Sequence, residues 1–192
     1  GIGWEENNKW EFKCFYLNDL TNRDERNMLN NFFTFLKNKE REFNQESILL
    51  HWHSKVGAFL PPGGHIEPNE DPVQALHREI TEETGLETVI MPHQPLLDIS
   101  YPQQIYPPVT VMIEDIDDPQ TGYHQHIDMI YFCRGPKTLH SLKKGWFLVT
   151  QHQLLNNEAM TNSLGQMITV PDDVRLLSLR AINLARSKLT TT

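Results

Sequence analysis

Thiols are scarce in this chain. Of 192 residues only Cys14 and Cys133 are cysteines, too few and too far apart for a disulfide framework or a CxxC pair. Two reduced, buried thiols are the expectation. Positive charge is also in short supply: Lys and Arg number 17 against 25 Asp and Glu, leaving a formal net charge of −8. That balance argues against a broad nucleic-acid-binding surface. It is compatible with a small phosphorylated ligand, because a bound cation reverses the local sign of charge. No apolar run approaches the roughly 20 residues needed to cross a bilayer. The opening "GIGWEENNKW" has neither the basic region nor the apolar run of a secretory leader. A cytoplasmic protein without a membrane partner is therefore expected. What is present, 39% hydrophobic and 22% charged residues, is the composition of a globular domain with one substantial core.

Periodicity divides the chain into mixed elements. "KWEFKCFYL" alternates Trp10, Phe12, Cys14 and Tyr16 on one face, as a strand does. "TNRDERNMLNNFFTFLKNKE" then repeats apolar residues at helical spacing, with Thr21 or Asn22 as N-cap. We read residues 1–45 as an N-terminal strand and helical extension of a single domain covering residues 1–192. The helix is expected to pack on the core or to form a homodimer contact. "SILLHWH" reads as a strand, followed by "GAFL" and a turn-rich loop, "PPGGHIEPNE". A helix is expected from Pro72 to Thr84, with Asp71 as N-cap, Gln74 completing a capping box and Gly85 ending it. Further strands are expected at "LLDISY", "PVTVMIE", "HIDMIYFC" and "GWFLV". A short helix in "TQHQLLNNEAM" and a long one in "PDDVRLLSLRAINLARSKL" close the chain. In the long helix Val174, Leu177, Ala181, Leu184 and Ala185 share one side, and its acids lie at the start, as the helix dipole favours. Strands mixed with helices predict an α/β domain with helices covering a mixed sheet.

The helix from Pro72 carries an awkward charge pattern. Glu79, Glu82 and Glu83 fall within roughly 100° of arc, and like charges at such spacing cost about 0.2–0.5 kcal/mol per pair. Val73, Leu76 and Ile80 form the neighbouring apolar stripe, and Arg78 is spaced to pair with Glu82. Taken alone, "EITEE" is a solvated helix face. The preceding Gly63 and Gly64 change that reading, because glycines permit tight geometry and close approach. Carboxylates beside a main-chain carbonyl offer the oxygen donors that hard divalent cations prefer.

This stretch resembles the Nudix box, written G-x5-E-x7-R-E-U-x-E-E-x-G-U with U a bulky apolar residue. Its fixed positions are filled by Gly64, Glu70, Arg78, Glu79, Ile80, Glu82, Glu83, Gly85 and Leu86. The loop followed by a capped helix is the context the motif requires, and "GWFLVTQHQLL" is loosely similar to a later segment of such domains. The resemblance implies an α/β/α sandwich and hydrolysis of a nucleoside diphosphate linked to another moiety. It also implies that Glu79, Glu82 and Glu83 bind Mg²⁺ or Mn²⁺ with the Gly64 carbonyl, that Arg78 holds the carboxylates and that Glu70 supports them. Glu79 is then a candidate general base. A binding module that senses such a ligand without cleaving it is the competing reading. Tyr101 and Pro102 stand side by side where relatives acting on dinucleoside polyphosphates or ADP-ribose differ, so the marker selects neither. A nucleoside triphosphate is the third substrate type compatible with the box.

Histidines form the second group of candidates. "YHQHIDMIYF" places His124, His126 and Asp128 on one strand face, a composition like a two-His, one-carboxylate metal site. The bland reading is a solvated strand end. With the box upstream, phosphate or supplementary metal binding gains weight, and Asp128 is a second candidate base. His65 follows the glycines and reads equally as a phosphate contact or as a surface loop histidine. His51 and His53 alternate with Trp52, which reads as core. Glu114, Asp115, Asp117 and Asp118 read as a solvated turn.

Overall fold

The computed structural model describes residues 9–18, 46–119, 122–136 and 142–189, the first of these segments as backbone. The helix expected in "TNRDERNMLNNFFTFLKNKE" lies outside the described residues. Strand β1 (Lys9–Asn18) lies in the middle of an eight-stranded sheet rather than beside it. One of its edges pairs in parallel with β7 (Gly122–Arg134), from Lys9 opposite His126 to Leu17 opposite Arg134. The other edge is shared. Its first half pairs antiparallel with β4 (Gly63–His65), and its end pairs with β2 (Ser47–His53). The strand expected in "KWEFKCFYL" is thus part of the central sheet.

The remaining strands extend the sheet on both sides. β2 pairs with β3 (Ala58–Leu60) and with β8 (Trp146–Thr150). β7 pairs antiparallel with β5 (Val89–Ile90) and, from Gly122 to Ile130, with β6 (Thr110–Asp118). With one parallel pair among antiparallel ones in the described residues, the sheet is mixed, as expected. A separate hairpin, β9 (Met160–Thr161) with β10 (Met167–Ile168), had no clear pattern in the sequence.

Helices cover both faces. α1 (Pro72–Thr84) packs on β1 and β4, while α3 (Asp172–Leu189) packs on β1, β2 and β7 and also on the short α2 (Gln151–Leu155). Alternation along β7 feeds one core on each side. Tyr131 and Cys133 join Ala75, Leu76 and Ile80 of α1, whereas Ile130 and Phe132 join Val174, Ala181, Ile182 and Ala185 of α3. The result is an α/β/α sandwich. Cys133 is a buried free thiol, as expected.

Two expectations fail here. "LLDISY" forms no strand; Leu96, Leu97, Ile99 and Tyr101 are exposed, and the segment is tied by Gln104, whose amide bridges the Leu97 N–H and carbonyl at 2.9 and 2.8 Å. Among the described residues the segment pairs with no strand, so its β-prone composition alone does not make one. The "GG" segment, expected as loop, is strand β4, because β1 presents it with a pairing edge.

Candidate active site

α1 begins and ends where its residues dictate. The Asp71 carboxylate accepts the Val73 and Gln74 N–H groups at 2.8 and 2.9 Å, and the Gln74 side chain accepts the Asp71 N–H at 3.0 Å. Gly85 closes the helix at φ 75°, a conformation open to glycine at little cost. Leu76 and Ile80 are buried on the sheet, so the rotation of the helix is set, and the glutamates are carried to its border with β4.

Arg78 organises that border. Its Nε and Nη2 donate to the two oxygens of Glu70 at 2.9 and 2.8 Å, its Nη1 donates to Glu79 at 2.7 Å, and Nη2 also donates to the His65 carbonyl at 3.0 Å. Glu82, expected as its partner at helical spacing, is a weaker one at 3.5 Å and keeps 63% of its side chain exposed. Glu70 wins because its carboxylate meets the guanidinium fork with both oxygens. That hydrogen bond holds the Glu70 carboxyl below its usual range and raises the Arg78 guanidinium further.

Gly64 is required by proximity, not by backbone angle. It does not have positive φ, but a Cβ built on it would overlap the Glu79 carboxylate, lying 2.8 Å from Oε2. The Gly63 N–H donates to Glu83 Oε2 at 3.2 Å, so the two glycines receive the two inner glutamates of the helix. Burial pushes the Glu83 carboxyl up to about 7; the Gly63 hydrogen bond opposes this, the charge of Glu79 adds to it, and Lys143 opposes it. Lys143 also donates to the Glu82 carbonyl at 2.7 Å. Nothing local in the sequence marks Lys143 for this place, since it arrives from a loop 61 residues further on.

The histidine group lies on the other sheet face. Following the alternation of β7, His124, His126 and Asp128 share the face of Ile130 and Phe132, toward α3 and away from α1. The His65 ring, alternating with Gly64, meets the His126 ring at 5.7 Å. His124 and His126 face each other, with Nε2 atoms 3.1 Å apart. Asp128 is only 3% exposed. Glu114 stands opposite His126 in the β6–β7 register, and ligand atoms of Glu114, His126 and Asp128 lie within 4.8 Å of one another. The solvated turn expected at Glu114 to Asp118 is therefore strand. Asp115 there accepts from Tyr123 and Gln125 at 2.6 and 2.9 Å. The Thr110, Met112, Glu114 alternation was the available signal for Glu114. His51 is likewise drawn in: its ring packs 4.6 Å from Trp146, and burial and His53 lower its pKa to about 4. Trp52 packs edge-on against Phe59 at 5.3 Å, as a core residue.

The sequence profile of the NUDIX domain matches residues 31–161, more than half of the chain and the whole of this border. The chain belongs to the Nudix family. Solved structures agree on the Nudix fold. A NUDIX-family hydrolase from Clostridium perfringens superposes with a TM-score of 0.64 at 21% identity, covering 94% of this chain and 99% of that one. The E. coli dihydroneopterin triphosphate pyrophosphohydrolase gives 0.50 at 9% identity, covering 93% and 99%. No curated protein sequence matches significantly. In Nudix terms, the box residues from Gly64 to Leu86 are the β4–α1 unit just described. β1, which supplies the pairing edge for β4, lies upstream of the profile match.

Proposed function

We propose that this Nudix protein is a pyrophosphohydrolase that cleaves a diphosphate linkage in a nucleoside diphosphate joined to another moiety, using Mg²⁺ or Mn²⁺. One observation carries the reading: Glu79 and Glu83 converge on the Gly63–Gly64 backbone while Arg78 ties Glu79 to Glu70 and to the loop carbonyl of His65. The donors fit a hard divalent cation. They are all oxygens, and a cation would offset the burial that pushes the Glu83 carboxyl up to about 7, to which the charge of Glu79 adds. Glu79, Glu82, Glu83 and the Gly64 carbonyl would hold it. When bound, such an ion supplies Lewis acidity toward the phosphate oxygens.

The chain's own residues do the rest. Arg78 fixes the Glu79 carboxylate by a charge-assisted hydrogen bond and is itself fixed by Glu70, so neither acid has to be ordered during the reaction. Glu79, with a second carboxylate oxygen beside Gly64, is the general-base candidate. Asp128 is less suited, being buried on the opposite sheet face. His65, exposed at the end of β4 with its ring toward His126, is the proposed contact for a substrate phosphate.

A phosphate-release screen with Mg²⁺ and Mn²⁺ over nucleoside triphosphates, ADP-ribose and dinucleoside polyphosphates tests the activity. Turnover on one class and its loss by about 100-fold or more in Glu83→Gln, with an unchanged circular dichroism spectrum, is expected. Wild-type turnover in that variant removes Glu83 from the machinery. Tight binding of one nucleotide with no turnover of any would instead make the protein a sensor.

A further inference from the structure

We infer that the β6–β7 hairpin carries a second cation site, built from His124, His126, Asp128 and Glu114 and suited to a borderline transition ion such as Zn²⁺ or Co²⁺. Its donor set differs from that of the α1 glutamates in including imidazole, which favours these ions over Mg²⁺. Three of the four donors already lie within 4.8 Å of one another. The fourth, His124, is oriented by its own backbone. Its Nδ1 lies 2.9 Å from the Gly122 carbonyl, and since a carbonyl only accepts, Nδ1 carries the proton. The Nε2 of neutral His124 therefore presents a lone pair, and it points at His126 Nε2 3.1 Å away. An imidazole whose outer N–H is held by a carbonyl is the usual arrangement around a metal-ligating histidine.

The spacing of the two imidazoles is that of co-ligands. Donors on one ion with bonds of about 2.0–2.2 Å stand roughly 3–4.4 Å apart, which brackets the observed 3.1 Å between the two Nε2 atoms. Asp128, at 3% exposure, supplies charge from the buried side, and exposed Glu114 supplies it from the solvent side, giving the ion an entry route. Without an ion, the close pair is a hydrogen bond in which one Nε2 donates to the other. β7 supplies three of the donors and β6 the fourth, so the site rests on a paired strand ladder instead of a loop. The His65 ring, 5.7 Å from His126, joins this site to the strand that receives Glu79 and Glu83.

The test is titration of the chelator-stripped full chain with Co²⁺, followed by visible d–d absorption, and with Zn²⁺, followed by calorimetry. The wild type is expected to show one Co²⁺ with an imidazole-containing spectrum and one Zn²⁺ that millimolar Mg²⁺ does not displace. His124→Gln and His126→Gln are each expected to weaken that binding by about 10- to 100-fold, while Glu83→Gln leaves it intact. Melting curves of the two histidine variants, both partly exposed in the wild type, guard against misfolding. Wild-type Zn²⁺ affinity and Co²⁺ spectrum in both histidine variants would overturn the site, as would loss of both signals in Glu83→Gln alone. That last result would assign all cation binding to the helix glutamates and leave the hydrolase reading standing.

Discussion

Gly64 shows how much one missing Cβ decides. Its hydrogen atom occupies the space next to the Glu79 carboxylate, and a methyl group there displaces the acid from the position in which Arg78 holds it. Only the end of a flexible side chain has to move, so the fold survives while the geometry does not. Gly64→Ala is therefore expected to lower kcat/KM by roughly 100-fold, the scale associated with a misplacement of about 1 Å, with a melting temperature close to wild type. Steady-state kinetics beside a thermal melt checks both halves. The glycine pair was readable in the sequence as a point of close approach. Which of the three glutamates each glycine would face was not, because that depends on how α1 is rotated against β4. Arg78 makes the same point: helical spacing favours Glu82, yet Glu70, eight residues back in the loop, takes the guanidinium fork.

Among the elements, α1 is the most self-determined. Its capping box, Pro72 and Gly85 are local signals, satisfied within a few residues of sequence, and the observed span from Pro72 to Thr84 follows them. The strand pair β2–β8 depends instead on partners far apart in the chain, and its electrostatics reveal this. His51 is held neutral to about pH 4 by burial and by His53, against an ordinary value of 6.5. Between those two values the unfolded chain binds the extra proton, so this contribution is present above pH 6.5 and lost as the pH falls through about 4. His51→Phe, which keeps an aromatic ring against Trp146, is expected to be less acid-sensitive than wild type by of order 1–2 kcal/mol once partial exposure is discounted. Urea unfolding at pH 7.5 and 4.5 measures the difference. An equal loss in both proteins would show that His51 does not titrate in this window.

At the scale of the molecule, the sheet sorts the candidate residues into two groups, one facing α1 and one facing α3. A cation that binds only the folded arrangement stabilises it by mass action. Millimolar Mg²⁺ is accordingly expected to raise the melting temperature of the wild type by a few degrees and that of Glu83→Gln much less, as followed by differential scanning fluorimetry. By itself the sequence determined the box, the α1 boundaries, five of the strands and the α/β class, because periodicity, caps and a dense motif are encoded in neighbouring residues. The tertiary structure alone decided that β1 occupies the middle of the sheet, that "LLDISY" is not a strand, that Glu114 joins His126 and that Lys143 reaches the end of α1. Each of these is a meeting of segments distant in sequence. Strand order and helix rotation settle such meetings, and those are set by which apolar faces must be buried together rather than by any local pattern.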